Sequence, residues 1–134
     1  MVCPFCLKEA KTRVYNSRSS GRKSQVWRRR RCPSCKEAFT TYESLDLSYL
    51  VVGKRDGHSE KYSRPKLFSS IYRAHLDADE AEALTDTVEQ ALINVRQTLI
   101  STKDVAEQAK KVLKAFDAAS HARYASFQPP TTRT

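Results

Sequence analysis

The chain has 134 residues, of which 40% are hydrophobic and 29% charged, and its formal net charge is +9. This composition supplies enough apolar side chains for a core, which excludes a wholly disordered or collagen-like chain. No apolar run reaches the ~18 residues of a membrane span, and the opening residues lack the regions of a secretory signal. We therefore expect a cytoplasmic protein without a membrane partner.

The positive charge is concentrated in the first third of the chain. Residues 1–44 carry 11 basic and 3 acidic side chains, whereas residues 45–134 carry 13 basic and 12 acidic side chains. Such an asymmetry predicts two parts with different partners. We expect a domain at 1–44, a linker at 45–49, a second domain at 50–128 and a frayed tail at 129–134.

All four cysteines lie in the first part and form two C-x-x-C pairs, Cys3 with Cys6 and Cys32 with Cys35. Two residues between ligands allow a tight turn that places both sulfur atoms on one metal ion. Two such pairs supply the four thiolates of a structural zinc site, which leaves no open position for catalysis. Disulfides of a small secreted domain and a thioredoxin-like redox motif are the alternatives, which the duplicated pairs and the missing signal disfavour.

An arginine-rich segment separates the two cysteine pairs. A field this positive attracts phosphate groups, and arginine forms forked hydrogen bonds with phosphate oxygens and guanine edges. We therefore predict nucleic-acid binding, with double-stranded DNA favoured over RNA and a merely solvated charged surface as the alternative. The basic residues concerned are Arg13, Arg18, Arg22, Lys23, Arg28, Arg29, Arg30, Arg31 and Lys36.

The same segment has the length and the aromatic content of a small β ribbon. The 25 residues between the cysteine pairs can form three short strands. Because side chains alternate along a strand, Arg28 and Arg30 would share one face and Arg29 and Arg31 the other. We expect Trp27 and Phe39 to pack in the ribbon core, while composition alone leaves the role of Tyr42 open.

The second part is predicted to begin with a β-hairpin and a helix. Asp56-Gly57, between two short strand-like runs, indicates a two-residue turn. Ser63 can cap a helix with proline in its first turn, and this helix would begin at Arg64. Its apolar positions at helical spacing are Leu67, Phe68, Ile71 and Tyr72.

A second helix is predicted over about 79–100. Its apolar residues recur at steps of three and four, which is the spacing of one buried face. That face would consist of Ala81, Leu84, Val88, Leu92, Val95 and Leu99.

Two more helices complete a predicted helical bundle. Ser101 and Asp104 resemble a capping box, so a third helix should start there and run to about Ala118. It would bury Val105, Ala109, Val112, Leu113 and Phe116. A fourth helix, at about 119–127, would offer Tyr124 and Phe127 and end before Pro129-Pro130.

Cations of the hairpin and the first helix would suit a polyphosphate. Lys54 and Arg55 are expected to end the first strand. Lys66 falls in the first helical turn, beside backbone N–H groups and the positive end of the helix dipole. Glu60 can accept hydrogen bonds from hydroxyl or amino groups, and Val52 offers an apolar wall for a base. An ordinary basic hairpin with a solvated face is the alternative at this point.

Two sets of motifs resemble known domains. The first set is similar to the N-terminal zinc ribbon of the NrdR family of bacterial repressors, which regulates ribonucleotide reductase genes. It comprises Cys3-Pro4-x-Cys6, Ser17-Arg18, the run Arg28 to Arg31, Cys32-x-x-Cys35 and Phe39-Thr40-Thr41-Tyr42-Glu43. The second set resembles the ATP-cone of the same family, which binds ATP and dATP. It comprises Val52-x-Lys54-Arg55-Asp56-Gly57-x-x-Glu60-x-Tyr62-x-Arg64-x-Lys66-Leu67 and Arg123-Tyr124-Ala125-Ser126.

The resemblance implies an α+β fold, in which a four-cysteine zinc ribbon of antiparallel β structure precedes an ATP-cone of a β-hairpin and a small helical bundle. It implies one structural Zn²⁺ ion, ATP and dATP as allosteric effectors, and a homo-oligomer whose size depends on the nucleotide. Phosphates would be held by Lys54, Arg55 and Lys66, and the base and sugar by Val52 and Glu60. Double-stranded DNA would be contacted by Arg18, Arg28, Arg29, Arg30, Arg31 and Tyr42.

The implied function is a nucleotide-responsive repressor of ribonucleotide reductase genes, located on the nucleoid when bound to operator DNA. A zinc-ribbon adaptor whose helical domain binds another protein, and no nucleotide, is the alternative. An enzyme is not expected, because the sequence offers no paired carboxylates, nucleophile–base set or open metal site. His58, His75 and His121 show no ligand pairing and are expected at or near the surface.

Overall fold

The structure is a computed structural model that describes residues 1–20, 24–74 and 76–127. It divides into two compact units, Met1–Leu45 and a second unit that begins at Asp46. The expectations for Arg22, Lys23, His75 and the tail at 129–134 lie outside the described residues.

The first unit is a three-stranded antiparallel sheet next to the cysteine pairs. Its strands are β1 (Arg13–Ser20), β2 (Gln25–Arg31) and β3 (Ala38–Ser44), and β2 lies in the centre. The prediction of three strands between the cysteine pairs was wrong, because β3 follows the second pair and then turns back to pair with β2. Among its described residues, 1–20 and 24–45, only Cys3, Cys32 and Phe39 are buried in its core. A core this small cannot stabilise a fold by hydrophobic burial alone, so metal binding must supply much of the folding free energy.

The two aromatic residues expected in the ribbon core differ in their burial. Phe39 is buried beside Cys3 and Cys32, as predicted. Trp27 is only half-buried, because it lies on an exposed sheet face with the Arg18 guanidinium 5.9 Å from its ring centroid. The prediction for Trp27 was therefore wrong.

The second unit combines a small mixed sheet with four helices. The strands are β4 (Val51–Gly53), β5 (Ser59–Lys61) and β6 (Leu99–Ser101), in the order β5-β4-β6. The central strand β4 pairs antiparallel with β5 and parallel with β6. A short 3₁₀ helix precedes β4 at Leu47–Tyr49, within the predicted linker. The helices are α1 (Arg64–Tyr72), α2 (Ala78–Asn94), α3 (Thr102–Phe116) and α4 (Ala118–Phe127).

One core joins the strands and helices of the second unit. It consists of Leu50, directly before β4, Ile100 from β6, Ala74 and Leu76 from the connection between α1 and α2, and the buried faces of the helices. The helical members are Leu67, Ile71, Ala81, Leu84, Val88, Leu92, Ala109, Leu113 and Tyr124. The capping box that starts α3 is present as predicted, because the Ser101 hydroxyl accepts from the Asp104 N–H at 3.0 Å and the Asp104 carboxylate accepts from the Ser101 N–H at 3.1 Å.

The second helix is shorter than predicted. It ends at Asn94, and Arg96 adopts a left-handed conformation with φ of 61°. The chain then returns to the sheet as β6, where its backbone pairs with β4 and Ile100 enters the core. Val95 and Leu99, which were expected to be buried, are 41% and 63% exposed. Backbone pairing with a strand distant in sequence therefore overrode the helical spacing of the apolar residues.

The end of the third helix also differs from the prediction. Helix α3 stops at Phe116, which is 49% exposed, because Asp117 takes an extended conformation. The Asp117 carboxylate then accepts from the backbone N–H and the hydroxyl of Ser120, at 3.2 and 2.9 Å, and so caps α4. Phe116, as the last residue of α3, therefore lies at the surface, and the prediction that it is buried was wrong.

The hairpin turn is wider than the predicted two residues. The Lys54 N–H donates to the His58 carbonyl at 2.7 Å, and the Gly57 N–H donates to the Lys54 carbonyl at 3.2 Å. Gly57 has a φ of 88°, the left-handed conformation that completes a three-residue loop. Lys54 and Arg55 therefore lie at the turn. The prediction that they end the first strand was wrong.

A charged cluster joins the start of α1 to one face of α2. The Arg64 guanidinium contacts the carboxylates of Glu82, Asp86 and Glu89, which recur at helical spacing on α2. The Tyr62 hydroxyl donates to Glu89 at 2.8 Å. Burial and the adjacent Glu89 raise the pKa of Tyr62 well above its usual value, so the hydroxyl remains a donor.

Across the described residues, the structure contains no helix of the length and apolarity needed to cross a membrane.

Replacing Arg64 tests whether this charged cluster stabilises the second unit. Arg64→Met leaves three carboxylates close together without their shared cation, and the free energy of unfolding should fall by about 2 kcal/mol. Urea denaturation followed by far-ultraviolet circular dichroism measures this change, since the helices α1 to α4 all lie in the second unit. Arg73→Met, at the exposed end of the same helix, is the control and should change stability by less than about 0.5 kcal/mol. Equal losses of stability in both variants would contradict the role of the cluster.

Candidate functional site

The four cysteine sulfur atoms converge at one end of the ribbon. Cys3 Sγ lies 3.6 Å from Cys35 Sγ, and Cys6 Sγ lies 3.8 Å from Cys32 Sγ, with all four within 4.8 Å of one another. A tetrahedral zinc ion with Zn–S bonds of about 2.3 Å separates its sulfur ligands by about 3.8 Å. All four cysteines are unbonded, so the disulfide alternative fails. The donor set and its spacing therefore fit one Zn²⁺ ion.

The backbone forms the same turn around each cysteine pair. The Leu7 N–H donates to the Cys3 carbonyl and the Lys36 N–H to the Cys32 carbonyl, both at 2.9 Å. Leu7 and Lys36 both adopt left-handed conformations, with φ of 59° and 67°. This repeated geometry aims the two sulfur atoms of each pair at a common point.

Backbone N–H groups also favour the thiolate form that a metal requires. The Phe5 N–H donates to Cys3 Sγ at 3.4 Å. The backbone N–H of Cys35 lowers the pKa of Cys32 to about 6, whereas, despite the Glu37 N–H, burial and the neighbouring sulfur groups raise the pKa of Cys35 to about 11. Such donors stabilise negative charge on sulfur before and after a metal binds.

The ribbon sheet places its arginines on two faces, as the strand alternation predicted. One face, here called the Arg29 face, includes Arg18, Trp27 and Tyr42, which are cross-strand neighbours. The other face, here called the Arg28 face, includes Arg28, Arg30, Phe39, Thr41 and Glu43. The six residues predicted to contact DNA are therefore divided between two opposite surfaces.

Charge on the Arg28 face is partly neutralised inside the ribbon. The Arg28 guanidinium donates to the Glu43 carboxylate at 2.8 and 3.1 Å and to the Ser17 hydroxyl at 3.0 Å. Arg30 donates to the hydroxyls of Thr41 and Thr12, at 2.9 and 3.2 Å. These contacts fix both side chains against the sheet.

The Arg29 face combines arginines with aromatic rings. Arg29 donates to the hydroxyls of Thr40 and Tyr15, at 2.9 and 3.2 Å. The Arg31 guanidinium lies 5.3 Å from the ring centroid of Tyr15 and donates to the Lys36 carbonyl at 3.3 Å. Arg18 stacks in the same way on Trp27. Among the described strand residues of this face none is acidic, so its charge is not compensated locally. Stacking on a ring orients a guanidinium without consuming its hydrogen-bond donors.

A cavity of about 270 Å³ opens in the second unit beside the hairpin. Its lining is mostly apolar, and the partly exposed charged side chains of Lys54, Glu60 and Lys66 border its opening, here called the mouth. Such a combination is typical of small-molecule sites. The polar lining includes Lys54, Glu60, Ser63, Lys66 and Thr102, and the apolar lining includes Val52, Leu67, Val105, Ala106 and Tyr124.

Four of the five residues predicted for nucleotide binding line this cavity, namely Val52, Lys54, Glu60 and Lys66. Arg55 is exposed in the adjacent turn and is not part of the lining. Ser63 is the N-cap residue of α1, as predicted, but its side chain makes no capping hydrogen bond and borders the cavity instead.

Glu60 lies between the two lysines at the mouth. The Lys66 ammonium is 2.9 and 3.0 Å from the two carboxylate oxygens of Glu60, and the Lys54 ammonium is 3.2 Å from one of them. Hydrogen bonds from Lys66 and then Lys54 hold the pKa of Glu60 below its usual range. The three side chains therefore carry one net positive charge at neutral pH.

Sequence reasoning missed several members of the cavity. Thr102, Val105 and Ala106 belong to the first turns of α3, and Ser70 belongs to α1. The Thr102 hydroxyl donates to the Gly53 carbonyl at 3.2 Å, which joins α3 to the hairpin. The parallel pairing of β6 with β4 brings the start of α3 to this place, and no local motif announces that pairing. The only signal for this pairing in the sequence was the occurrence of two short apolar segments, at 50–52 and 99–100.

Comparison with known proteins supports both halves of this description. Residues 1–43 match the family described as "Transcriptional repressor NrdR-like, N-terminal domain", a zinc ribbon. Residues 50–128 match the ATP cone domain. A zinc ribbon joined to an ATP cone defines a transcriptional regulator with a nucleotide-sensing domain. The predicted α+β fold, with a four-cysteine zinc ribbon followed by an ATP-cone, is thus confirmed.

Relatives named transcriptional repressor NrdR match most of the chain. The protein of Lachnoclostridium phytofermentans is 38% identical over 130 residues, which cover 94% of this chain and 84% of the relative. The relatives from Chlamydia muridarum and from Staphylococcus aureus strain Newman are 33% and 32% identical, over 93% and 94% of this chain and 84% and 83% of their own lengths. The chain belongs to the NrdR family of transcriptional repressors. Since this is a regulatory family, the prediction that the chain is not an enzyme is confirmed.

Removal of zinc by a chelator tests whether only the first unit depends on the metal for its stability. Binding of a structural zinc ion supplies on the order of 10–16 kcal/mol in small domains, so its removal should unfold the ribbon and leave the helical unit folded. Trp27 is the only tryptophan and lies in the ribbon, so its fluorescence reports the first unit, whereas circular dichroism reports the helices of the second.

Two neighbouring substitutions provide the matched test of the zinc site. Cys6→Ser should reduce the zinc content of the purified protein from one ion per chain to much less than one. Phe5→Ser, at the exposed residue between the first two cysteines, should retain the metal. A full zinc content in Cys6→Ser would show that the four-sulfur site is not the metal site.

Proposed function

We propose that the chain binds operator DNA upstream of ribonucleotide reductase genes and represses them in response to ATP and dATP. The observation that carries this proposal is the coexistence of two unlike sites. One is an arginine face without local compensation on a metal-held ribbon, and the other is a lysine-bordered cavity in a separate unit. The first suits a polyanion and the second suits a small phosphorylated ligand.

For DNA, the Arg29 face is the surface we propose for contact with the duplex. Arg18, Arg29 and Arg31 point away from the same side of a three-stranded sheet, and the exposed Tyr42 lies beside them. Arg28 and Arg30 lie on the opposite side, where the Glu43 carboxylate pairs with Arg28 and would repel phosphates, so we propose a smaller share of the DNA contact for them. The Arg29 face of the narrow ribbon would contact the duplex, and the side-chain contacts of the Arg28 face would stabilise the sheet. On operator DNA the protein would be found on the nucleoid.

For the nucleotide, the proposed roles follow the two ends of the cavity. Lys54 and Lys66, supplemented by Arg55 from the turn, would hold the phosphates at the mouth, close to the N-terminus of α1. Val52 would contact the base, and Glu60 would accept hydrogen bonds from the sugar or the base. Leu67, Val105 and Tyr124 add apolar surface against which a base can pack.

Nucleotide identity would reach the DNA through assembly. ATP and dATP can shift a balance between oligomers only by binding those oligomers with different affinities. Homo-oligomers that space their ribbons to match paired operator sites would occupy the promoter, and other oligomers would not. The family supports repression and nucleotide sensing, and this mechanism would connect them.

Salt dependence of DNA binding tests the division of the ribbon into two faces. The double variant Arg29→Ala/Arg31→Ala should weaken binding and reduce the slope of log K against log salt by about 0.9 for each phosphate that the protein no longer neutralises. The matched control, Arg28→Ala/Arg30→Ala, removes the same charge from the Arg28 face and should change the slope much less. Electrophoretic mobility or fluorescence anisotropy at several salt concentrations measures both, and an equal change of slope in the two variants would contradict the assignment.

Substitution of one lysine tests the nucleotide site. Lys66→Ala should weaken ATP and dATP binding by about tenfold to a hundredfold, which is the value of a charge-assisted hydrogen bond of about 1.5–3 kcal/mol. Lys114→Ala, in the last turn of α3 away from the cavity lining, is the control.

Calorimetry measures both affinities, and native mass spectrometry with ATP, dATP and both together reports the oligomers. If the unsubstituted protein binds neither nucleotide at millimolar concentration, the helical unit is instead a docking domain for another protein.

A further inference from the structure

The Glu60 carboxylate is the feature of the cavity that the proposed phosphate site does not explain. A site built only to hold polyphosphate would leave its cations available to the ligand. Here two of the three lysines that line the cavity, Lys54 and Lys66, are bonded to one acid, at 2.9 to 3.2 Å, and the third is Lys61. A phosphate group that approaches Lys54 and Lys66 therefore meets a carboxylate between them.

A phosphate group that replaces the Glu60 carboxylate as the partner of both lysines must compensate for a loss of free energy. Two ion pairs must break before the lysines can contact a ligand, and a carboxylate next to bound phosphates is repelled by them. The freed carboxylate recovers this loss only if hydrogen-bond donors reach it. Inorganic polyphosphate has no sugar hydroxyl and no amino group to supply such donors, whereas a nucleotide has both.

The position of Glu60 allows both arrangements. Glu60 is on β5 directly opposite Val52 on β4, and both side chains line the cavity. The two lysines reach it from the hairpin turn and from the first turn of α1, so its carboxylate lies between two cations at the edge of the cavity. A rotation of this one side chain would exchange its lysine partners for donors on a ligand inside the cavity.

We propose that Glu60 is a specificity-determining residue, which makes the cavity reject free polyphosphate and accept only a phosphorylated ligand with hydrogen-bond donors on its sugar or base. This inference rests on the proposed function, because it concerns the same cavity. This role differs from direct contact with the ligand, because in the nucleotide-free protein Glu60 forms ion pairs with Lys54 and Lys66. The presence of ligand donors then determines whether those lysines are released.

The test compares inorganic tripolyphosphate with ATP, measured by calorimetry on the full chain in one magnesium-free buffer. The unsubstituted protein should bind ATP and bind tripolyphosphate at least tenfold more weakly. Glu60→Gln keeps the size of the side chain but removes its charge, so tripolyphosphate should bind at least tenfold more tightly. The affinity for ATP should rise less or should fall, because the contact between the ligand's donors and residue 60 is weakened. The ratio of the affinity for ATP to that for tripolyphosphate should therefore decrease strongly.

Two further variants make the test specific to this charge. Glu60→Asp keeps the carboxylate and should keep the preference for ATP. Glu107→Gln removes an exposed acid that pairs with Lys103 on α3, and should leave both affinities unchanged. Circular dichroism checks that each variant is folded, and Glu60→Ala replaces Glu60→Gln if the latter does not fold.

The two proposals fail in different ways. If the unsubstituted protein binds ATP but Glu60→Gln binds tripolyphosphate no more tightly, Glu60 merely anchors the hairpin to α1 and the inference is overturned. If the unsubstituted protein binds tripolyphosphate as well as ATP, the inference is overturned as well, while the phosphate site stands. If it binds neither ligand, the proposed nucleotide site itself fails, and the inference with it.

Discussion

The convergence of four sulfur atoms at one point is the constraint on which the ribbon depends. In the part of the ribbon that the structure describes, the hydrophobic core is limited to Phe39 and two of the cysteines, too little to hold three strands in register. Both cysteine pairs use left-handed residues, Leu7 and Lys36, a strained conformation that a folded metal site can maintain. Metal binding thus sets the strand register, and the strand register decides which arginines share a face.

In the second unit, the corresponding constraint is the parallel pairing of β6 with β4. This pairing ends α2 at Asn94 and places the first turn of α3 against the hairpin, where the Thr102 hydroxyl bonds to the Gly53 carbonyl. The cavity is lined from both sides of this junction. Without it, the hairpin would retain its lysines but would face no apolar wall, and a phosphate patch rather than an enclosed site would result.

Local signals in the sequence were sufficient for much of this architecture. The two C-x-x-C pairs, the alternation of Arg28 to Arg31 and the capping box of Ser101 with Asp104 each depend on neighbouring residues, and the structure contains all three. Predictions failed where distant contacts decide, as at Leu99, whose helical spacing lost to strand pairing, and at Trp27, whose partner is Arg18 on another strand. The spacing of the hairpin residues predicted one site for Val52, Lys54, Arg55, Glu60 and Lys66, and all of these except Arg55 line the cavity. The contribution of α3 required the fold.

The two units handle excess positive charge in the same way. On the ribbon, Glu43 occupies Arg28 on one face, and the arginines of the other face have no acidic neighbour among the described strand residues. In the second unit, Glu60 occupies Lys54 and Lys66 together. An acid that neutralises a cation on an exposed surface adds little stability, so its main effect is on binding. Glu43 and Glu60 would therefore serve to restrict polyanion binding, Glu43 to one face of the ribbon and Glu60 to ligands that can satisfy a displaced carboxylate.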